Sequence, residues 1–185
     1  SLRRQRQMCI RDRLKLYFER GKRLGKTLRS CSSFRRVKSL SGVEQKCEEG
    51  FGIIFLSNPQ RHNALSLENI EEICVILDSW EKLDLTAIIF TGKGKSFCSG
   101  LCLEELRKKT WVDNPISILC DKIEGSSAIT ICGLNGSAYG GGVEIALSCD
   151  FRVVSKHFTL AVPAAKLGIH YEPMGICLLY TSDAA

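Results

Sequence analysis

Short apolar runs rich in β-branched residues recur along the chain and predict strands. These strands are expected at residues 51–56, 87–90, 128–134 and 151–155. Polar, Gly- and Pro-containing segments separate the runs, and Asn58-Pro59 provides a turn signal directly after the first of them. The pattern therefore indicates several short strands distributed over the whole of the chain after residue 50.

Between these strands the apolar residues follow a helical spacing. Ser66 is placed to cap a helix that ends near Trp80, with acidic residues opposite its apolar face. That apolar face consists of Ile70, Ile73, Cys74 and Leu77. A short helix is expected at residues 103–108, and another opens at Asn114-Pro115, because proline at the first helical position loses no hydrogen bond. The fold class is therefore α/β.

Charge divides the chain in two. Residues 1–40 hold 14 Lys and Arg against 2 acidic residues, whereas the remaining 145 residues hold 12 against 18. A basic arm at 1–41, disordered or similar to a transit segment, is therefore expected before an acidic domain at 42–177. Nucleic acid is not the expected partner, because the arm has three aromatic residues and no recognised binding module.

Both ends of the chain carry a second expectation. Residues 4–12 and 177–185 resemble translated sequencing-linker read-through. On that interpretation residues 1–12 and 178–185 would be foreign to the protein. The similarity to an Arg-rich, acid-poor organelle transit segment would then depend on residues 13–40 alone.

The ten cysteines are interpreted as reduced thiols. No C-x-x-C pair occurs, and the closest spacing is that of Cys98 and Cys102. Several cysteines lie among apolar residues, where a free thiol behaves as a small buried hydrophobe. No metal site is expected, and no run of 18 apolar residues predicts a membrane span.

Three successive glycines, Gly140 to Gly142, follow the apolar run at 128–134 and precede a helical pattern. Glycines leave backbone N–H groups uncovered, and the first turn of a helix presents unpaired N–H donors at the positive end of its dipole. This segment is therefore expected to bind negative charge.

Spacing excludes three familiar glycine motifs at this place. The dinucleotide fingerprint G-x-G-x-x-G is absent, and Gly94-Lys95-Ser96 lacks the earlier glycine of a phosphate loop. A nucleophile elbow would need serine one position after Ser137. What remains is an oxyanion site made of backbone amides, where the charge develops on a substrate carbonyl during reaction.

Two further segments carry a family resemblance. One runs from Lys95 to Leu106 (KSFCSGLCLEEL) after a predicted strand, and the other from Leu56 to Ser66 (LSNPQRHNALS). With the glycine triplet they occur in the order and at the intervals of the crotonase superfamily, which the chain resembles over residues 42–177. The resemblance implies a spiral of repeated ββα units whose C-terminal helical part is missing from this chain.

The resemblance also implies a site for acyl-CoA thioesters. The N–H groups of Leu101 and Gly141 would donate to the thioester oxygen, and Glu144 would be the catalytic acid or base. Coenzyme A is part of the substrate, so no separate cofactor is expected. Substrate and CoA contacts are expected at Arg61, Ala64, Ser99, Gly100, Leu101, Leu103 and Gly140.

Alternatives stay open at two of these positions. Glu144 falls in the first turn of a helix, where a carboxylate also gains from the helix dipole and caps a free N–H. Leu101 replaces the alanine that is usual in the family. Because the backbone supplies the donor, leucine leaves the oxyanion hole intact and narrows the entrance for the acyl chain.

Two further positions depart from the family pattern. The second catalytic glutamate should follow Pro163, where this chain has Ala164. Without that carboxylate the chain is not expected to be an efficient hydratase, since a positioned acid or base contributes about 10²- to 10⁴-fold. Glu172 and Tyr171 are candidates to replace the missing carboxylate, but no family motif supports either residue. Cys102 stands where Asp commonly caps the next helix, which makes adenine binding by this loop less certain.

The leading hypothesis is a crotonase-like acyl-CoA enzyme, a lyase or isomerase of fatty-acid metabolism that stabilises a thioester enolate. The alternatives are a CoA-ester-binding paralogue without turnover and an inactive fragment. A homotrimer or hexamer is expected for a full-length family member. The expected location is mitochondrial, with the cytoplasm and the peroxisome as alternatives.

Overall fold

The computed structural model describes residues 42–48, 50–108 and 112–163, together with residues 168 and 176. The basic arm at 1–41 and the tail at 178–185 lie outside the described residues, so the expectations stated for them remain predictions. The domain expected at 42–177 is described up to residue 163 apart from short gaps.

In the part of the chain that the structure describes, eight strands form two sheets. They are β1 (Val43–Glu48), β2 (Phe51–Leu56), β3 (Ala87–Gly92), β4 (Ser96–Cys98), β5 (Ile129–Leu134), β6 (Ser137–Tyr139), β7 (Phe151–Val154) and β8 (Leu160–Ala161). The larger sheet has the order β1-β2-β3-β5-β7, and the smaller has the order β4-β6-β8. All neighbours are parallel except β1 and β2.

Within the described residues, four α-helices join these strands. They are α1 (Leu67–Trp80), α2 (Leu103–Lys108), α3 (Pro115–Gly125) and α4 (Gly141–Ser148), with short 3₁₀ turns at Pro59–Arg61 and Glu81–Leu83. The repeated unit is strand, strand, helix, as in β5-β6-α4 and in β3-β4-α2-α3, where the short helix α2 precedes the longer α3. Each of these units places its first strand in the larger sheet and its second in the smaller one. The predicted ββα spiral is confirmed.

The core lies between the larger sheet and the helices. Ile54, Phe90 and Cys132 stand side by side on β2, β3 and β5, and all three are almost completely buried. Parallel strands covered in this way read as continuous apolar runs, which is why their positions could be predicted. At Gly52 the ring of Trp80 lies so close that a Cβ atom would overlap it, so glycine lets α1 pack onto β2.

The structure corrects parts of the predicted elements. Helix α1 has the predicted Ser66 cap, but Asn69 completes a capping box with it. Cys74 is only partly buried, whereas Ile76 and Trp80 belong to the core. The segment between the apolar run at 128–134 and α4, where no strand was predicted, contains the strand β6. Three more strands, β1, β4 and β8, were not predicted. Strands β4 and β8 have only three and two residues, too few to show an alternating pattern, and β1 is largely polar.

Asn63 ties the β3–β4 turn to the loop after β2. Its side-chain amide donates to the carbonyl oxygens of Lys93, Ser96 and Phe97 at 2.8–3.1 Å, and its Oδ1 accepts from the Asn58 N–H. The side chain is 1% exposed, and the backbone has a positive φ of 56°. Asparagine suits both demands, since it tolerates this conformation and carries donor and acceptor together.

Asn63→Ala is therefore expected to lower the free energy of unfolding by about 3 kcal/mol, because it leaves buried backbone groups without partners and strains a left-handed residue. Urea denaturation would measure the change. Asn135→Ala is the matched control: Asn135 bonds to the same turn, through the Gly92 N–H and the carbonyls of Gly94 and Ser96, but it is only partly buried. A loss at Asn63 no larger than at Asn135 would contradict this account.

Candidate active site

The first loop of the site follows β4 and turns at Gly100. Gly100 has a positive φ of 84°, which glycine adopts without strain. Its carbonyl accepts from the Leu65 N–H at 2.9 Å, and the Cys102 N–H donates to the Leu65 carbonyl at 2.8 Å. Leu65 and Leu101 thus form a parallel bridge. Because residues 100 and 102 make these bonds, the Leu101 N–H points to the opposite side, away from Leu65.

The second loop follows β6 and runs into α4. Gly140 has a positive φ of 52°, and its N–H donates to the Ala161 carbonyl at 3.0 Å. Helix α4 begins at Gly141, so the amide of Gly141 is one of the N–H groups that have no acceptor within their own helix. Gly142 lies directly against the Cys98 carbonyl, where a Cβ atom would overlap it.

These two loops are in contact. A Cβ atom built on Gly100 would lie 2.8 Å from the Gly141 nitrogen and 2.9 Å from the Tyr139 oxygen. The reason is the smaller sheet, in which β4 and β6 are parallel and Cys98 pairs with Ala138. Parallel strands end at the same edge of their sheet, so the loops that follow them meet there. The glycine at position 100 permits this close approach.

Glu144 lies one turn into α4. It is 4% exposed, in a helix that packs against α3. Its charge acts on the Cys120 thiol of α3: burial raises the pKa of Cys120 to about 12, a hydrogen bond with Ser148 opposes that rise, and the Glu144 charge adds to it. A buried carboxylate therefore stands in α4 three residues after Gly141.

The residues expected to contact coenzyme A lie around the first loop. Arg61 forms an exposed ion pair with Glu104, with 2.6 Å between Nη2 and Oε1, so an incoming phosphate would have to compete with that carboxylate. The Ser99 hydroxyl donates to the Arg61 carbonyl at 3.4 Å. Ala64 is partly buried and Leu103 is exposed. Gly140, also expected to contact substrate, is partly buried in the second loop. Their role in binding stays a prediction.

Other expected residues fall outside the described part of the chain. Ala164 and its candidate substitutes Tyr171 and Glu172 are among them. Cys102 is described, and its N–H bond to Leu65 holds the loop in place although a cysteine replaces the usual capping residue. Sequence patterns did not indicate the structural role of Asn63 or that of Ile116, which contacts Gly141 from helix α3. Ile116 is far from the site in sequence and looks like any other core residue.

The thiols around the site are buried. All seven cysteines among the described residues are free, and six of them are buried. Burial raises the pKa of Cys98 to about 12, while the Gly100 N–H donates to its sulfur at 3.3 Å. Among the described residues no three His, Cys, Asp or Glu side chains are grouped to hold a metal ion. None of the helices described is both long and apolar enough to cross a membrane.

Comparison with known proteins agrees with this arrangement. Residues 46–182 match the enoyl-CoA hydratase/isomerase family model. An enoyl-CoA hydratase of Alternaria alternata is 32% identical over 148 residues, which cover 75% of this chain and 50% of that protein. Human enoyl-CoA hydratase domain-containing protein 3, mitochondrial, is 31% identical over 137 residues, which cover 70% of this chain and 45% of that protein.

Solved structures show the same fold. A crystal structure of an enoyl-CoA hydratase subunit from Geobacillus kaustophilus superposes with a TM-score of 0.65 at 30% identity, over 75% of this chain and 55% of that one. An enoyl-CoA hydratase/isomerase family member reaches a TM-score of 0.69 at 24% identity, over 74% and 56%. The chain belongs to the enoyl-CoA hydratase/isomerase family of the crotonase superfamily. It spans about half the length of the curated relatives it matches.

Proposed function

We propose that the protein acts on acyl-CoA thioesters by stabilising an enolate with the backbone amides of Leu101 and Gly141. The observation that carries the proposal is the contact between the two loops, with Gly100 packed against the Gly141 nitrogen. The Leu101 N–H turns away from its bridge partner, and the Gly141 N–H starts a helix. Two uncommitted donors on touching loops suit an oxygen that gains charge during reaction.

The chemistry follows from what an enolate needs. Removal of a proton from the α-carbon of a thioester moves negative charge onto the carbonyl oxygen. Two amides fixed before the reaction stabilise that charge without reorganising, and the positive end of the α4 dipole acts in the same direction. Loss of one such donor typically costs about 10²- to 10³-fold in rate.

Glu144 is proposed as the group that moves the proton. It is buried, lies on α4 shortly after Gly141, and its charge acts on the Cys120 thiol of α3. A carboxylate in such a place costs free energy, which its hydrogen-bonding and electrostatic contacts must offset. The free-energy cost of burying Glu144 is more readily explained by a role in proton transfer than by helix capping alone, because an exposed carboxylate would cap the helix as well.

The proposal is tested by following exchange of the α-protons of butyryl-CoA with deuterium oxide. Exchange reports enolate formation directly and requires no second substrate. Incorporation of deuterium, detected by mass spectrometry, is the expected result. Butyryl-CoA that binds but never exchanges would favour the second candidate, a CoA-ester-binding paralogue, for which the missing carboxylate at Ala164 is the specific observation.

Efficient hydration is not proposed. Water addition to an enoyl-CoA needs a group that positions and deprotonates the water, and Ala164 cannot supply one. Ala164→Glu is therefore expected to raise the hydration rate of crotonyl-CoA at least about tenfold, a modest part of what a positioned acid or base gives. Loss of absorbance by the conjugated thioester measures the rate.

The control for that variant is the double substitution Ala164→Glu with Glu144→Gln, which is expected to abolish the gain. Should the unmodified protein already hydrate crotonyl-CoA at about 10 per second, a rate typical of enzymes, another residue must fill the role. Glu172 would be the first candidate for that role, and a variant of Glu172 would test it.

Assembly and location are also proposals. A homotrimer or hexamer is proposed for the full-length protein from the family resemblance. A mitochondrial location is proposed from the acid-poor arm, and one relative, the human protein, is named as mitochondrial. The other relatives compared include fungal and bacterial proteins, so cytoplasmic and peroxisomal locations stay open as alternatives.

A further inference from the structure

We infer that Ile116 is a positioning residue, which holds the Gly141 amide at the place where the thioester oxygen would bind. This inference rests on the proposed function of that amide. A Cβ atom built on Gly141 would lie 2.8, 3.0 and 3.1 Å from Cγ1, Cδ1 and Cγ2 of Ile116. The whole branched end of the side chain therefore covers one side of the Gly141 backbone.

Ile116 is itself held rigidly. It is the second residue of α3 and is 3% exposed, and its N–H donates to the Asn114 side chain at 3.0 Å. Pro115 fixes the first residue of the helix, and the Ile118 N–H donates to the Asn114 carbonyl. A β-branched side chain in a helix also has one strongly preferred rotamer. The surface that Ile116 presents to Gly141 is therefore well defined.

The opposite side of the loop is backbone. Gly100 packs against the Gly141 nitrogen, and the Cys98 carbonyl lies against Gly142. The Gly141 amide is thus enclosed between a rigid turn and the Ile116 side chain. Truncating Ile116 would open a cavity on one side only, and the loop would gain room to move away from Leu101. A displacement of about 1 Å at a reacting centre costs on the order of 10²-fold in rate.

The chain offers a matched control in the same helix. Ile123 is 0% exposed and belongs to the core, but it lies about two helical turns from Ile116, and the three atoms nearest the Gly141 Cβ position all belong to Ile116. Ile116→Ala and Ile123→Ala remove the same atoms and are expected to lower stability alike. Only Ile116→Ala should lower kcat for α-proton exchange, by at least about tenfold with KM changed less than about twofold, because the amide contributes mainly in the transition state. Ile116→Val should keep most of the wild-type kcat.

A second measurement does not depend on turnover. The backbone ¹⁵N order parameter of Gly141 should fall from about 0.85 towards 0.6 in Ile116→Ala and stay high in Ile123→Ala. If the unmodified protein fails to exchange α-protons, the proposed function fails, while this comparison still decides whether Ile116 fixes the amide. An unchanged order parameter in Ile116→Ala, or an equal fall in both variants, would overturn the inference. Should Ile116→Ala not fold, Ile116→Val, which loses only the Cδ1 contact, is compared with Ile123→Val: a smaller fall in the Gly141 order parameter is expected in Ile116→Val alone, and equal values in the two variants would overturn the inference.

Discussion

Glu144→Gln is expected to lower the rate of α-proton exchange in butyryl-CoA by about 10²- to 10⁴-fold, the contribution of a positioned acid or base. Glutamine keeps the size of the side chain and its capacity for hydrogen bonds, but it cannot take up a proton at neutral pH. The affinity for butyryl-CoA should change little, since the proposed binding contacts lie on backbone amides and on the loop around Gly100. Mass spectrometry and calorimetric titration would measure the two quantities.

Glu68→Gln separates this role from simple helix capping. Glu68 also stands in the first turn of a helix, α1, but it is exposed. If the Glu144 carboxylate only interacted with the helix dipole, both substitutions would cost about 0.3–1 kcal/mol of stability and neither would affect exchange. A Glu144→Gln protein that exchanges α-protons at the wild-type rate would exclude Glu144 as the acid or base.

Gly100→Ala is expected to lower the same exchange rate by about 10²- to 10³-fold, as loss of one oxyanion donor does. The added methyl group would lie 2.8 Å from the Gly141 nitrogen and 2.9 Å from the Tyr139 oxygen, and both are backbone atoms that cannot rotate away. The two loops would have to separate. The effect should therefore appear in kcat more than in KM.

Gly50→Ala is the control that measures the effect of backbone strain alone. Gly50 has a positive φ of 81°, close to the 84° of Gly100, but its added methyl would meet only the Thr86 hydroxyl at 3.4 Å. Both variants should lose about 1 kcal/mol or more from the left-handed conformation, whereas only Gly100→Ala should lose turnover. An equal effect of the two substitutions on exchange would show that the contact between the loops is not what matters.

Much of the fold could be predicted because the buried strands carry unbroken apolar runs. The strand at Phe51–Leu56 coincides with its prediction, and the helix capped at Ser66 ends at Trp80 as expected. The strands of the smaller sheet have two or three residues each, too few to display an alternation. They form because the larger sheet brings the loops together, which is a tertiary effect that no local pattern contains.

The candidate site also has parts that could be predicted from the sequence and parts that could not. The glycine triplet and the helix start after it are local features, so an anion-binding segment could be predicted from the sequence, whereas Leu101, Gly141 and Glu144 were assigned their roles from the family resemblance. Asn63 bonds to the segment Lys93–Phe97, which is 30 or more residues away in the sequence, and Ile116 contacts Gly141, which is 25 residues away. Nothing near Asn63 or Ile116 in the sequence indicates those contacts. The supporting residues therefore emerged only from the packing of α3 and the β3–β4 turn.

The central claim is that the Leu101 and Gly141 amides together bind one thioester oxygen. Titration of the ¹⁵N-labelled protein with butyryl-CoA, followed in amide spectra, tests it most directly, with free coenzyme A as the control. The N–H proton resonances of both residues are expected to move downfield with butyryl-CoA, as new hydrogen bonds form, and to stay in place with free coenzyme A. Saturating butyryl-CoA binding that moves neither resonance, or only one of them, would contradict the account.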